Sequence, residues 1–404
     1  SKLNVDRARQ MLTEIGALHN NHLTALGKYV SLLPTDMKSG KLLLYSTLFG
    51  CLESGLTLAS ISVTGNPFFR SREMRDKVKR VQTKFSDGQG DMIAILNAYE
   101  QYSELRNSSE KRRFLDENCL SWKTMKDIQS TRVQYVSELQ DLGFIPMGYL
   151  RHRDKYPAFN RHSKDYPILC AIVTASLFPH VARVQPPDPK FLSSGVGTIA
   201  VDPDSRKIKY WIRNEEYIKE GIEGRNPRDK DLLPATRAFL HPSSTFFSFT
   251  GNLEGEISAS DIKMDADGNY IYSPSAGGSK SSSKRLSSSF ISYTSSQMTT
   301  KLYLHDVTPT SIIALLLFGG QISYDLSSVN TGRPSPGIVM DGWLPIRTWC
   351  KNAVMMTKLR VLLDKFLDGR LATPLYTEGG EENKNDAYNG ILETLEKILS
   401  IEQR

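Results

Sequence analysis

The longest unbroken apolar run in the chain is residues 312–318, closed by Gly319 and Gly320. A run this short cannot span a bilayer and fits a buried strand or a short helix leading into one. Just upstream, Lys301, Tyr303 and His305 alternate with Leu302 and Leu304, the period of a strand with one face in water. The pattern predicts the core of a β-domain. It also predicts that the solvent face of that domain, and not a catalytic pocket, carries the function.

The N-terminal part has a different period. Ala8, Met11, Leu12 and Ile15 fall at helical spacing before Gly16, Asn20 and Asn21 suit a turn, and Leu23, Leu26, Val30 and Leu33 mark a second helix ended before Pro34. Residues 1–40 are therefore expected to form a small, partial winged-helix-like unit. Residues 41–145 read as all-helical. Within them, 41–63 are apolar on nearly every side, as in a helix buried among others and broken at Pro67. Arg70, Arg72, Arg75, Lys77, Lys79, Arg80 and Lys84 then make a strongly basic helix face. Met125, Ile128, Val133, Val136 and Leu139 mark the core side of a helix over 122–142, stopped by Gly143. Residues 146–167 carry no apolar period and read as a linker.

From Ile168 an apolar helix leads into strand-like segments, and β-texture continues to 350. Two stretches interrupt it: 220–230, charged and Gly-rich, and about 252–296, whose Ser/Gly-rich part with Lys280, Lys284 and Arg285 predicts a mobile insertion. Residues 351–404 read as a C-terminal helical extension. Its first helix has Val354, Leu359, Leu362, Leu363 and Phe366 on one side, and a last amphipathic helix covers 388–401. The fold class is multidomain α+β.

Composition narrows the chemistry. The 404 residues are 39% hydrophobic and 24% charged, with a net charge of +7, a balance that suits a polyanionic partner. The N-terminus has no secretory signal and no initiator Met, so a piece of a longer protein is expected. The four cysteines are far apart and form no C-x-x-C or Cys/His cluster, so no metal is expected. Gly40 and Lys41 are followed by Leu42, which is not a phosphate loop. No G-x-S-x-G elbow or Cys–His nucleophile pair is evident, so no catalytic residue is assigned.

Surfaces remain. Arg183, Lys207, Lys209, Tyr210, Trp211 and Arg213, then Arg237, His241, Ser243 and Ser244, interleave cations with aromatic and hydroxyl groups. Cations neutralise phosphate, and aromatic rings offer a face to an unstacked base. A five-stranded Greek-key barrel presents such residues on one side and tolerates long loops between strands. Trp211 itself is expected in the core. His241, before Pro242, suits a rim or turn.

Several stretches resemble the accessory region of DEAH/RHA helicases. Residues 23–60 are similar to the passage from a winged-helix remnant into the helical ratchet (HA2) domain. The segments SDGQGDMIAILNAYEQY and NCLSWKTMKDIQSTRVQ resemble two ratchet helices, and AFLHPSSTFF the H-P-x-S strand of the family's OB-fold. TTKLYLHDVTPTSIIALLLFGGQI resembles its signature strand and FGG turn, and VMDGWLPI the strand that follows. Met92, Cys119 and Tyr102 depart from the family pattern.

The resemblance implies an RNA-binding and regulatory region of an ATP-dependent RNA helicase. The RecA-like motor domains, with their ATP and Mg, lie outside this chain, which alone is expected to be inactive and to need no cofactor. It implies single-stranded or structured RNA as a partner, the motor domains of the same polypeptide as another, and a cytoplasmic location with the nucleus as alternative. A ribosome or protein activator is a further expected partner, and a membrane is not. His241, Ser243, Ser244, Lys207, Lys209, Arg183 and Arg237 are the expected RNA contacts, and Arg72, Arg75, Lys79 and Lys301 a second set. The competing reading is a non-catalytic protein- or ribosome-docking module with incidental RNA affinity.

Overall fold

The computed structural model describes residues 2–69, 73–186, 190–194, 197–201, 208–214, 234–247, 262–264, 270–272, 288–324, 337–347, 350–372 and 389–401. Helix α1 (Lys2–Ile15), a hairpin of β1 (Leu18–His19) and β2 (His22–Leu23), and α2 (Ala25–Leu32) form the N-terminal unit. Asn20 and Asn21 both hold positive φ, 49° and 63°, as a two-residue hairpin turn requires and asparagine tolerates.

Six helices follow: α3 (Met37–Leu48), α4 (Leu52–Thr64), α5 (Arg75–Ser86), α6 (Asp91–Glu104), α7 (Ser108–Glu117) and α8 (Trp122–Asp141). The apolar stretch expected as one helix is two, because Gly50 turns the chain at φ 64° between α3 and α4. Asp36 caps α3 by accepting from the Lys38 and Ser39 N–H groups. The departures Met92, Tyr102 and Cys119 are all buried and belong to this core. The expected linker folds into short 3₁₀ turns that pack down on the helices: Tyr149 is fully buried and its hydroxyl donates to Glu53 Oε1 at 3.1 Å.

Helix α9 (Tyr166–Leu177) precedes the barrel in sequence but packs with the helices, Ile168, Leu169 and Ile172 lying in the same core as Leu56 and Leu96. The closed barrel has five strands: β3 (Val181–Gln185), β6 (Lys209–Arg213), β7 (Ala235–Leu240), β10 (Phe290–Met298) and β11 (Leu302–Thr310), in the order β10-β11-β7-β6-β3. Hairpin β10–β11 is antiparallel, Phe290 opposite Thr310, and the parallel pairing of β11 with β7 closes the ring. The expected insertion therefore reaches too far, because residues 290–296 belong to strand β10, whose first four residues, Phe290 to Tyr293, are buried. Strands β4 (Lys190–Ser194) and β5 (Gly197–Val201) make their own hairpin, as do β8 (Ile262–Met264) and β9 (Tyr270–Tyr272). The rest of the Ser-rich stretch up to 287, and 220–230, lie outside the described residues.

The apolar run is helix α10 (Ile312–Phe318), and not a strand. Ser311 caps it by accepting from Ala314 N–H at 3.0 Å, and Arg360 closes its other end by donating to the carbonyls of Leu317, Gly319 and Gly320. Strands β12 (Ile322–Tyr324), β13 (Gly337–Met340) and β14 (Leu344–Arg347) form a small sheet beyond it. A side chain at Gly320 would meet the Asp341 carboxylate at 2.0 Å and displace it from the Gln321 N–H that it accepts from, so glycine suits the close approach of the FGG turn to this sheet. Arg360 comes from α11 (Cys350–Ala372), which with α12 (Asn389–Ile401) packs on the helical core through Leu363, Phe366, Leu395 and Leu399. Val354 and Leu362, expected on the same side, face solvent at 47% and 49% exposure. Leu363 and Phe366 are buried as expected, and Leu367 and Leu371 complete the stripe.

Candidate functional site

Alternation along the barrel strands sorts their side chains. Tyr210 and Ile212 on β6, Ala238 and Leu240 on β7, and Leu304 on β11 turn inward and are buried together. The opposite parity puts Lys209, Trp211, Arg237, Phe239 and Tyr303 on the outer face. Trp211 is thus on the outside, contrary to its expected core position, and its indole N–H donates to Gln185 Oε1 at 2.8 Å. Arg183 and Arg237 stand directly opposite it on the two neighbouring strands. Tyr303 stands opposite Phe239, and two cations cover the Phe239 ring: Lys301 at 4.6 Å and Arg237 at 4.9 Å from its centroid.

From Phe239 the rings continue as a track. Phe239 and Tyr303 are 6.3 Å apart, Tyr303 meets His241 edge-on at 6.0 Å, and His241 stacks on His305 at 4.2 Å. His241 stands just past the end of β7, where Pro242 turns the chain. Its Nδ1 accepts from the Ser243 backbone N–H at 3.2 Å and lies 2.7 Å from the Ser243 hydroxyl. A backbone N–H can only donate, so Nδ1 is an acceptor and a neutral ring carries its proton on Nε2. Ser243 is exposed, but Ser244 is 3% exposed. Its N–H donates to the His241 carbonyl at 2.9 Å and its hydroxyl accepts from Phe246 N–H at 3.3 Å. Ser244 therefore builds the turn and is not available as a ligand contact, because it opens the helical turn that follows.

The track ends in a cleft of about 520 Å³ between the barrel rim and the helical domain. His241, Ser243 and His305 form one wall; Phe69, Arg75, Lys79 and Gln82 form the other. Lys79 Nζ lies 4.7 Å over the ring of Phe247, and burial, with Arg75 adding to it, draws its ammonium below the usual lysine range. The structure thus joins two sets of expected residues that are far apart in sequence, His241 and Ser243 with Arg75 and Lys79. Arg183, Lys209, Arg237 and Lys301 are on the outer face instead. Arg72 and Lys207 lie outside the described residues. Phe239, Tyr303, His305, Phe69 and Gln82 were not among the expected contacts; for Tyr303 and His305 the strand alternation was a usable signal.

One carboxylate holds the two walls in place. Asp91, at the start of α6, is buried and accepts from Thr245 N–H at 2.6 Å, Thr245 Oγ1 at 2.8 Å and Val307 N–H at 2.9 Å. Desolvation, with Asp306 nearby, pushes its pKa up to about 6 in spite of these bonds. Gly90 lets the backbones meet: a Cβ there would lie 2.4 Å from the Val307 carbonyl oxygen. Among the described residues no group of three or more His, Cys, Asp or Glu side chains could hold a metal, and no helix is long and apolar enough to cross a membrane.

The chain matches two family models: a ratchet-like helicase-associated domain (HA2) over residues 36–118 and an oligonucleotide/oligosaccharide-binding (OB) fold over residues 169–322. It is 41% identical over 99% of its length to a proposed ATP-dependent RNA helicase of Saccharomyces cerevisiae. It is 29% identical over 93% to a proposed DEAH-box ATP-dependent helicase of Mycosarcoma maydis, and 30% identical over 54% to a DExH-box ATP-dependent RNA helicase of Arabidopsis thaliana. It spans 28%, 22% and 22% of those three relatives.

Proposed function

The chain belongs to the DEAH/RHA-type helicases, as their helicase-associated ratchet and OB-fold region, and from that premise we propose that its barrel face and cleft bind single-stranded RNA for a motor carried elsewhere on the same polypeptide. The observation that carries this reading is the ring track from Phe239 to His305, flanked by Arg237 and Lys301 and ending in a cleft whose other wall holds Arg75 and Lys79. Rings spaced along a strand stack on successive bases of any sequence, and the cations beside them neutralise phosphates. Asp91 holds the cleft walls at a set separation, so helix movement would be felt by the bound strand. ATP and Mg act in the motor, and the region supports unwinding by gripping the strand.

Titration of short single-stranded RNA at one fixed low salt tests the reading. Substituting His241 by Ala is expected to weaken binding about tenfold, the size of one lost base stack; unchanged affinity would remove the cleft from the interface. A docking role is the second reading, and one observation favours it. Val354, Met355, Val361 and Leu362 leave an exposed apolar stripe on α11, the kind of surface a protein partner covers.

A further inference from the structure

Three polar groups in the cleft have bonding capacity that the fold leaves unused. Gln82 is only 8% exposed, lines the cleft, and its carboxamide has no hydrogen-bond partner among the described residues. His305 Nε2 is buried and likewise unpartnered, while the face of its ring is taken by His241. Asp306, next in the same wall, accepts from Thr294 Oγ1 through Oδ2 at 3.3 Å, and among the described residues no hydrogen bond reaches its Oδ1. Burial of His305 Nε2 without a partner costs folding free energy, and the Gln82 amide and Asp306 carboxylate beside it are open to a ligand with complementary atoms.

That ligand has to lie flat beside a ring stack and fit about 520 Å³. It also has to give a hydrogen to Asp306 and to exchange a donor and an acceptor with an amide. Phosphate and ribose lack the plane, and a nucleobase has it.

We propose that the cleft reads one unstacked base of the bound RNA and prefers adenine. A glutamine amide pairs with adenine through two bonds: its N–H donates to a ring nitrogen and its oxygen accepts from the exocyclic amine. The second hydrogen of that amine goes to Asp306. Uracil and guanine place a carbonyl oxygen where adenine has the amine, and that oxygen would face the Asp306 carboxylate. Cytosine has the amine but one ring fewer, and fills the cleft less. The inference rests on the RNA-binding reading and adds base selection to it; stacking and phosphate contacts alone are indifferent to sequence.

The test is an anisotropy titration of the whole chain with four labelled RNAs at one fixed low salt: a short oligouridine, and the same strand with a single central adenine, cytosine or guanine. The adenine strand is expected to bind about tenfold tighter than oligouridine, and guanine to bind like oligouridine. Q82M and D306N are each expected to bring the adenine-to-uracil ratio close to one. Asn tolerates the left-handed backbone of residue 306 (φ 47°), so D306N carries the test should Q82M not fold. Equal affinity for all four strands, a guanine preference, or a ratio untouched in D306N would overturn base reading and leave RNA binding standing. No binding to any of the four would overturn RNA binding and base reading together.

Discussion

Two parts of one boundary, the joint and the cleft, are built from the same turn and the same strand and end in opposite states. At the joint, Thr245 and Val307 donate three hydrogen bonds to Asp91, and Gly90 brings the backbones together. Two residues back along each segment, Ser243 and His305 line the open cleft with Gln82, and among the described residues the buried His305 Nε2 has no hydrogen-bond partner. The joint commits its polar groups to the fold; the cleft leaves its own facing open space. A two-residue step along the chain separates structure from binding here, so neighbouring substitutions are expected to give different phenotypes.

Breaking the joint should have the largest effect. G90A puts a Cβ 2.4 Å from the Val307 oxygen at φ 97° and is expected to cost about 3 kcal/mol or more in denaturant unfolding. Next is the Asp91 carboxyl. Its folded pKa of about 6 lies above the ordinary 3.8, so the folded chain holds the proton more readily. Stability from this group is complete below about pH 4 and is lost as pH rises through about 6, by about 3 kcal/mol in all. Urea unfolding of wild type and D91N in matched buffers should show the difference between them falling over that window, and a difference independent of pH would contradict the assignment.

Changes in the cleft should act on the ligand and spare the fold. H241A is expected to lower RNA affinity about tenfold with less than about 1 kcal/mol lost in stability. The smallest effect is K79A: a severalfold loss of affinity, with the slope of log affinity against log salt shallower by about 1, as for one phosphate contact. A large stability loss in H241A, or an unchanged salt slope in K79A, would blur the line between joint and cleft.

Part of this was legible in the chain. The alternation of Lys301, Tyr303 and His305 marked a strand with a wet face, and that face carries the ring track. Trp211 obeys the same alternation: its size suggests the core, but its parity puts it outside, between Arg183 and Arg237. Ser244 looked equivalent to Ser243 because both are small hydroxyls in a turn; only the fold shows that one caps and the other is exposed. The run at 312–318 had the length of a strand, and Ser311 with Arg360 made it a helix by satisfying both its ends. Arg360 is some forty residues away, beyond the reach of a local pattern.

By itself, then, the sequence determined which residues share a strand or helix face, since periods of two and about 3.6 are local properties of the backbone. It also determined the family, through motifs kept in order along the whole chain. The tertiary structure alone decided which faces meet. Arg75, Lys79 and Gln82 sit opposite His241, Ser243 and His305, because Asp91 and Gly90 set the distance between two walls more than 150 residues apart in the chain. Such a distance follows from packing and satisfied hydrogen bonds across the domain boundary, and no periodicity within either segment encodes it.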